Sequence, residues 1–123
     1  MKIVVSSTTN NLEGQVDPRF GRCAYLLLVD LETMQFEAIP NAAAGAGGGA
    51  GIQAAQLLAD KGAKVVITGN VGPNAFKALN AAGIEIITGA DGTVKEAVEK
   101  FKLGKFSRTN APTVGDHFGS GPR

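Results

Sequence analysis

Two short apolar runs, each followed by the same turn and then by a helical pattern, constrain the fold of this chain most. Residues 65–67 and 84–87 predict buried strands, and both lead into the sequence Ile-Thr-Gly-x-x-Gly. The helical pattern after the second turn begins with a capping box, Thr93 and Glu96. Strand–helix–strand units require parallel neighbouring strands and right-handed crossovers. The second half of the chain therefore predicts the parallel part of an α/β sheet.

The first half of the chain predicts three more strands and one helix. The apolar runs 3–5 and 25–29 and the alternating segment 34–39 predict strands, and a turn at 30–33 joins the last two as a hairpin. Helical spacing of small and apolar residues predicts a helix over about 51–61. A hairpin requires an antiparallel strand. The whole pattern, βββαβαβα, therefore predicts a five-stranded mixed sheet with helices on both faces.

Size and charge exclude several classes of protein. The 123 residues fit one domain, and a net charge of +1 gives no reason to expect nucleic-acid binding. The longest apolar run, 25–29, is far too short to span a membrane. The first residues are too short in their apolar part to be a signal peptide, so we expect a cytoplasmic protein.

The last twenty residues differ in composition from the rest. Apolar periodicity ends after about residue 103, which predicts a domain over 1–103 and a disordered tail over 104–123. The only histidine, His117, lies in this tail, and we expect it to be solvated and without function.

The glycine-rich segments are predicted to meet at one edge of the sheet. Ligands of open α/β sheets bind beyond the carboxyl ends of the parallel strands. If the second strand is antiparallel, that edge receives the polar loop 8–24, the Ala/Gly segment 41–51 and the turns 68–72 and 88–92. This convergence predicts a binding site there.

The Ala/Gly segment 41–51 has two interpretations. It is either a connector that packs backbone closely against backbone, or an anion site built from backbone N–H groups and a helix N-terminus. Gly49, Gly51 and Ala54 match a dinucleotide fingerprint only loosely, and no acidic residue near position 70 is suited to hold a ribose. A nucleotide or small-anion binding module without metal is therefore the alternative function.

The segment 17–23 carries the densest cluster of chemically active side chains. Arg19 and Arg22 are suited to hold an anion, and their field is expected to lower the pKa of Cys23 and favour the metal-binding thiolate. The ordinary interpretation is that Arg19 pairs with Asp17 and that Cys23 is a small core residue. Cys23 is the only cysteine, which excludes an internal disulfide and a four-cysteine metal site in one chain.

Three segments together resemble the dinitrogenase iron–molybdenum cofactor-binding family. They are Asp-Pro-Arg-Phe-Gly-Arg-Cys at 17–23, Gly-Gly-Gly-Ala-Gly-Ile at 47–52 and Val-Ile-Thr-Gly-x-x-Gly-Pro-Asn-Ala at 66–75. The resemblance covers residues 1–103. It implies a ribonuclease H-like three-layer domain with strand order 3-2-1-4-5, the second strand being antiparallel. It also implies a non-catalytic binding or carrier protein, like a nitrogenase accessory protein, for iron–molybdenum cofactor or a related metal–sulfur cluster.

The resemblance also implies which residues border the cofactor and which partners the protein has. Cys23 is the expected metal ligand, and the full set of expected cofactor-binding residues is Arg19, Phe20, Gly21, Arg22, Cys23, Gly47, Gly48, Gly49, Gly51, Gly69 and Asn70. The expected partners are the metallocluster and proteins that donate or accept it, with no nucleic acid and no membrane. A monomer and a homodimer are both compatible with the sequence.

An enzymatic function is not expected. A ribonuclease H-type nuclease gathers several carboxylates around divalent metal ions, and neither 3–5 nor 65–67 carries a carboxylate. A Ser-His-Asp hydrolase is disfavoured because the one histidine lies in the predicted tail and no nucleophile elbow is present.

Overall fold

The strands and helices that the hydrophobic pattern predicts all form, within about two residues of their predicted bounds. A computed structural model of the chain describes residues 1–41 and 49–113. The elements are β1 (Lys2–Ser7), a 3₁₀ helix (Phe20–Arg22), β2 (Tyr25–Asp30), β3 (Phe36–Pro40), α1 (Ala50–Asp60), β4 (Val65–Ile67), α2 (Pro73–Ala81), β5 (Glu85–Ile87) and α3 (Val94–Lys102). In the described ranges, no helix is long and apolar enough to cross a membrane.

The strand order is β3-β2-β1-β4-β5, which confirms the predicted order. β2 is antiparallel to both β1 and β3, whereas β1, β4 and β5 are parallel. Ile3 of β1 lies opposite Val29 of β2 and Val65 of β4. The hairpin in the first half and the crossover helices in the second half therefore meet at β1, in the middle of the sheet.

Helices cover both faces of the sheet, which explains why β1, β2 and β4 carry continuous buried apolar runs without alternation. Successive residues of β1 point to opposite faces: Val4 packs with the apolar residues of α1 and α2, and its neighbours Ile3 and Val5 pack with those of α3. Leu26 and Leu27 of β2 divide in the same way. The prediction of helices on both faces is confirmed.

The start of β3 differs from the prediction, because Met34 lies in the turn and not in the strand. Met34 has a φ of 62°, a left-handed conformation that is costly for a residue with a side chain. Its N–H donates to Asp30 O at 2.8 Å, and the Asp30 N–H donates to Gln35 O at 2.9 Å. These two bonds close the turn, so that strand pairing begins only at Phe36.

Residues 105–113 follow the edge of β5 and then reach the turn between β4 and α2. Thr109 N–H donates to Ile86 O at 2.7 Å, and Thr109 Oγ1 accepts from Thr88 N–H at 3.1 Å. Thr113 N–H donates to Val71 O at 2.9 Å. This part of the predicted tail therefore makes hydrogen bonds with the domain. The remainder, 114–123 with His117, lies outside the described residues, and its disorder stays a prediction.

Helices α1 and α2 approach each other closely near the start of each helix. A Cβ atom placed on Gly51 would lie 2.6 Å from the Cβ of Ala75. The close packing of the two helices therefore requires a residue without a side chain at position 51. For Gly51, this agrees with the first interpretation of the Ala/Gly segment, in which it packs backbone closely.

The contact between Gly51 and Ala75 predicts that Gly51→Ala destabilises the protein. In an open helix this change stabilises by about 1 kcal/mol, but here the added methyl overpacks the interface at a cost of about 1–3 kcal/mol. Ala75→Gly removes the clashing methyl, so Gly51→Ala should cost less in that background. Urea unfolding of the two single variants and the double variant measures this coupling, and a stabilising Gly51→Ala would contradict it.

Candidate functional site

The loop 14–20 covers the edge of the sheet at the carboxyl ends of β1, β4 and β5. We call this edge the rim; it comprises residues 6–7, 14–23, 68–72 and 88–93. Within it, Asp17 N–H donates to Ser6 O at 2.9 Å, Asn70 N–H donates to Pro18 O at 2.8 Å, and Val16 N–H donates to Gly92 O at 2.9 Å. The loop 14–20 is therefore bonded to β1 near its end and to the turns that follow β4 and β5.

Two hydroxyl groups that sequence reasoning missed hold this loop down. Ser6 and Thr68 end β1 and follow β4, and both are fully buried. The Ser6 hydroxyl lies 2.6 Å from the backbone carbonyl oxygen of Asp17 and 2.7 Å from Thr68 Oγ1, and it donates its one proton to either of them. The Thr68 hydroxyl donates to the same Asp17 carbonyl at 3.3 Å. The sequence signal was a hydroxyl residue at the end of each of two apolar strands.

Gly69 and Asn70, both predicted to bind cofactor, support the loop from below. A Cβ on Gly69 would lie 2.6 Å from the Cα of Pro18, so only glycine lets the loop approach this closely. The Asn70 carbonyl accepts from Phe20 N–H at 3.4 Å, and Arg19 pairs with Asn70 as a short parallel bridge. The observed role of both residues is to position the 17–20 segment; ligand contact by them stays a prediction.

Arg19 lies on the solvent side of this loop. It pairs with Asp17, as the ordinary interpretation of the segment 17–23 predicts. Asp17 Oδ1 accepts from the Arg19 backbone N–H at 2.9 Å and from its Nε at 3.4 Å. The Arg19 side chain is 41% exposed, whereas that of Asp17 is 5% exposed. The guanidinium is thus fixed at the rim while remaining open to solvent.

The 3₁₀ helix turns the chain from the rim into the core. Phe20 is buried in the cluster that α1 and α2 cover, so its ring is a core group. Gly21 and Arg22 are half-buried. The 3₁₀ helix packs against α1. The segment 17–23 therefore faces the helix into which the glycine-rich segment leads.

The beginning of α1 has features of an anion site. Gly49 is its N-cap residue, with a φ of 89°, and the first turn carries no acidic side chain. Helix N-termini carry a partial positive charge, which such a turn leaves uncompensated. Gly47 and Gly48, also predicted as cofactor-binding, lie outside the described residues.

Cys23 is a core residue whose thiol is protonated. Its side chain is fully buried, and Sγ donates to Phe20 O at 3.2 Å. Burial first, and then the nearby negative charge of Asp17, raise the pKa of Cys23 to about 12. The expectation that Arg19 and Arg22 lower this pKa is wrong, because loss of solvent and the charge of Asp17 raise it. The interactions that lower it are hydrogen bonds with Ser7, Asn41 and the Cys23 backbone.

Asn41 fastens the chain around Cys23. Its Nδ2 donates to Gly21 O at 3.2 Å and to Cys23 O at 3.0 Å, and lies 3.7 Å from Cys23 Sγ. Within residues 1–41 and 49–113, no three His, Cys, Asp or Glu side chains group as metal ligands. Metal ligation by Cys23 stays a prediction, and it requires the thiol to leave this enclosed position.

Comparisons with known proteins match nearly the whole chain. The family model described as dinitrogenase iron-molybdenum cofactor matches residues 1–104. The apo form of the orange protein from Desulfovibrio gigas is 44% identical, with a TM-score of 0.89 over 92% of this chain and 96% of that one. A NifB-like protein from Thermotoga is 33% identical, with a TM-score of 0.79 over 92% and 98% of the two chains. An uncharacterised protein of Methanocaldococcus jannaschii is 30% identical over 111 residues, covering 88% of this chain and 91% of the relative.

The burial of Cys23 predicts a specific dependence of stability on pH. The folded-state pKa of about 12 exceeds the ordinary value of 9.0, so the unfolded chain loses its proton first. The stabilisation is complete below pH 9 and is lost as pH rises towards 12. Relative to Cys23→Ala, the wild-type free energy of unfolding should fall by about 1.4 kcal/mol per pH unit above 9.

Urea unfolding between about pH 8 and about pH 10.5 measures this difference, since other titrating groups are common to both proteins. In the native protein the thiol should also resist labelling by a thiol reagent at neutral pH. Parallel pH profiles together with rapid native labelling would show that the thiol is ionised and accessible.

Proposed function

Because the chain belongs to the dinitrogenase iron–molybdenum cofactor family, whose model matches residues 1–104, we propose that it is a non-catalytic protein that binds or carries a metal–sulfur cluster. The family resemblance that three short segments predict is thereby confirmed. The proposed cargo is iron–molybdenum cofactor or a related cluster. The proposed setting is the cytoplasm, with proteins that donate or accept the cluster as partners.

The observation that carries the proposal is the fixed Arg19 at the rim. Its side chain is 41% exposed, although its backbone N–H donates to Asp17 and the flanking Pro18 and Phe20 are bonded to Asn70. A charged donor held in place loses little entropy on binding, which favours capture of an anion. The 3₁₀ helix at the same rim packs against α1.

These donors suit the chemistry of metal–sulfur clusters. Such clusters are anionic, and hydrogen bonds to their sulfur atoms are one of the means by which proteins hold and tune them. The rim supplies a guanidinium, and the start of α1 supplies backbone N–H groups beside Gly49. The cluster would therefore be held mainly through its sulfur atoms and its charge.

Cys23 has a different role in this proposal from the one expected from the sequence. A thiol with a pKa of about 12 that bonds to Phe20 O is a poor ligand in the folded state. We assign it to the support of the 17–23 segment. Direct ligation would require both a deprotonation and a rearrangement of the core.

The alternative, a nucleotide or small-anion module without metal, uses the same donors. Arg19 and the first turn of α1 also suit a phosphate group. Thermal shift separates the two functions, since only the preferred class of ligand raises the melting temperature strongly.

A carrier role is also consistent with the fold and with the carboxylates. The strand order 3-2-1-4-5 with β2 reversed supports assignment to the ribonuclease H-like class. Nuclease chemistry on such a sheet needs carboxylates free to bind metal ions. Of the two rim carboxylates, Asp17 is buried and paired with Arg19, and Asp91 is exposed. The rim therefore does not offer the several free carboxylates that this chemistry uses, which supports a non-catalytic function.

Anaerobic titration tests the proposal. Iron–molybdenum cofactor, or a synthetic iron–sulfide cluster anion, should bind stoichiometrically and give a visible spectrum distinct from that of the free cluster. Arg19→Ala should weaken binding by about 10- to 100-fold, the equivalent of one charge-assisted hydrogen bond. Cys23→Ala should bind as the wild type does.

Lys61→Ala is the matched control for the loss of one positive charge. Lys61 follows the far end of α1, where it forms an exposed ion pair with Glu37 at 3.0 Å. Its removal should leave cluster binding unchanged. The proposal fails if neither cluster binds to the wild type. Loss of binding in Cys23→Ala but not in Arg19→Ala would instead establish thiolate ligation.

A further inference from the structure

Asp17 is an unexpected residue to find beneath a site for anions. Its side chain is only 5% exposed, and a buried carboxylate is costly unless it is paired and hydrogen-bonded. A negative charge at this place also lowers the affinity of the rim for an anion. The carboxylate must therefore make a favourable contribution at the rim that outweighs this loss of anion affinity.

The position of Asp17 is fixed by its own backbone. Its N–H donates to Ser6 O at 2.9 Å, and its carbonyl oxygen lies in one hydrogen-bonded group with the hydroxyls of Ser6 and Thr68, at 2.6 and 3.3 Å. The carboxylate thus projects from a part of the loop that is bonded to two strand ends. It has little freedom to move away from Arg19.

The contacts of Asp17 define the orientation of the Arg19 side chain. Oδ1 accepts from the Arg19 N–H at 2.9 Å, which fixes the main chain, and from Nε at 3.4 Å, which fixes the guanidinium. Nε–H lies on one edge of the planar guanidinium group. The opposite end, formed by Nη1 and Nη2, is not used by this ion pair and can take two acceptor atoms of one ligand.

We infer that Asp17 is a positioning residue, which holds Arg19 by Nε so that Nη1 and Nη2 meet a multiply charged anion at the rim. This inference rests on the proposed function and specifies how the cluster is recognised. Asp17 does not touch the cluster. It removes the rotational freedom that an unpaired arginine would lose on binding.

A positioning role and a purely electrostatic role of Asp17 predict opposite changes in the affinity for the cluster when Asp17 is replaced by Asn. Asparagine retains an oxygen for the Arg19 N–H but removes one negative charge. A purely electrostatic role predicts tighter binding of the cluster anion, whereas a positioning role predicts binding about ten-fold weaker. The probe is a synthetic iron–sulfide cluster anion, titrated anaerobically at fixed ionic strength.

Asp91→Asn is the matched control. Asp91 is an exposed carboxylate in the turn between β5 and α3, at the same rim, so this variant changes the charge equally. Its affinity for the cluster should be equal to that of the wild type or at most about three-fold higher. In an Arg19→Ala background, Asp17→Asn should no longer weaken binding, because the side chain that it positions is gone.

A second readout does not depend on the cluster. In the ligand-free protein, the Arg19 Nε–H proton should exchange slowly with water by NMR, and Asp17→Asn should make this exchange fast. If the wild type shows slow exchange but binds no cluster, the proposed function fails and the assignment of a cluster to Arg19 fails with it. Fast exchange in a wild type that binds the cluster overturns only the positioning role.

A variant that keeps the positive charge covers the possibility that Asp17→Asn does not fold. Arg19→Lys retains the charge, but all its N–H donors are on one nitrogen. It therefore cannot bind Asp17 through one nitrogen and a ligand through two others. Binding about ten-fold weaker than that of the wild type supports the inference. Wild-type affinity in Arg19→Lys, or unchanged or tighter binding in a folded Asp17→Asn, overturns it.

Discussion

The rim depends on two buried hydroxyls that need partners at the ends of parallel strands. Ser6 and Thr68 have no access to solvent, and an unpaired buried hydroxyl costs about 1–3 kcal/mol. The two hydroxyls and the carbonyl of Asp17 satisfy one another in one hydrogen-bonded group. This group draws the loop over the strand ends, and the close approach of Pro18 to Gly69 and the pairing of Arg19 with Asn70 follow from it.

The loop consequently behaves as an extension of the sheet. Its backbone groups are largely used in holding it, whereas the guanidinium of Arg19 remains for a ligand. The protonated thiol of Cys23 and the Asn41 amide close the core directly behind the 3₁₀ helix. A rigid layer that offers charged donors outward and a closed core inward is suited to receiving and releasing a preformed anion.

Much of the architecture is predictable from local pattern, because the period of the hydrophobic residues reports which faces are buried. The repeated Ile-Thr-Gly-x-x-Gly turns imply the parallel half, and Thr93 with Glu96 forms the predicted capping box at 3.1 and 2.8 Å. The strand order came from family resemblance. Met34 was misplaced because its left-handed turn conformation has no signal in residue type.

The chemistry of the site was less predictable, because it depends on burial. The sequence shows that Arg19, Arg22 and Cys23 are close together, but not that the thiol faces inward and the Arg19 guanidinium outward. Charge proximity alone therefore predicted the wrong direction for the pKa of Cys23. Ser6 and Thr68 appear in the sequence only as polar residues after strands, and their pairing requires the tertiary fold.

Native-state amide hydrogen exchange measures whether the loop 14–20 is held at the strand ends as firmly as a further strand would be. The amides of Asp17 and Asn70, which donate to Ser6 O and Pro18 O, should open with free energies close to those of amides inside β1. The amide of Glu13, in an exposed bond with Asn11, is the internal reference for a mobile loop. If Asp17 and Asn70 exchange as fast as Glu13, the loop is not part of the folded core and the rim does not hold Arg19 in place.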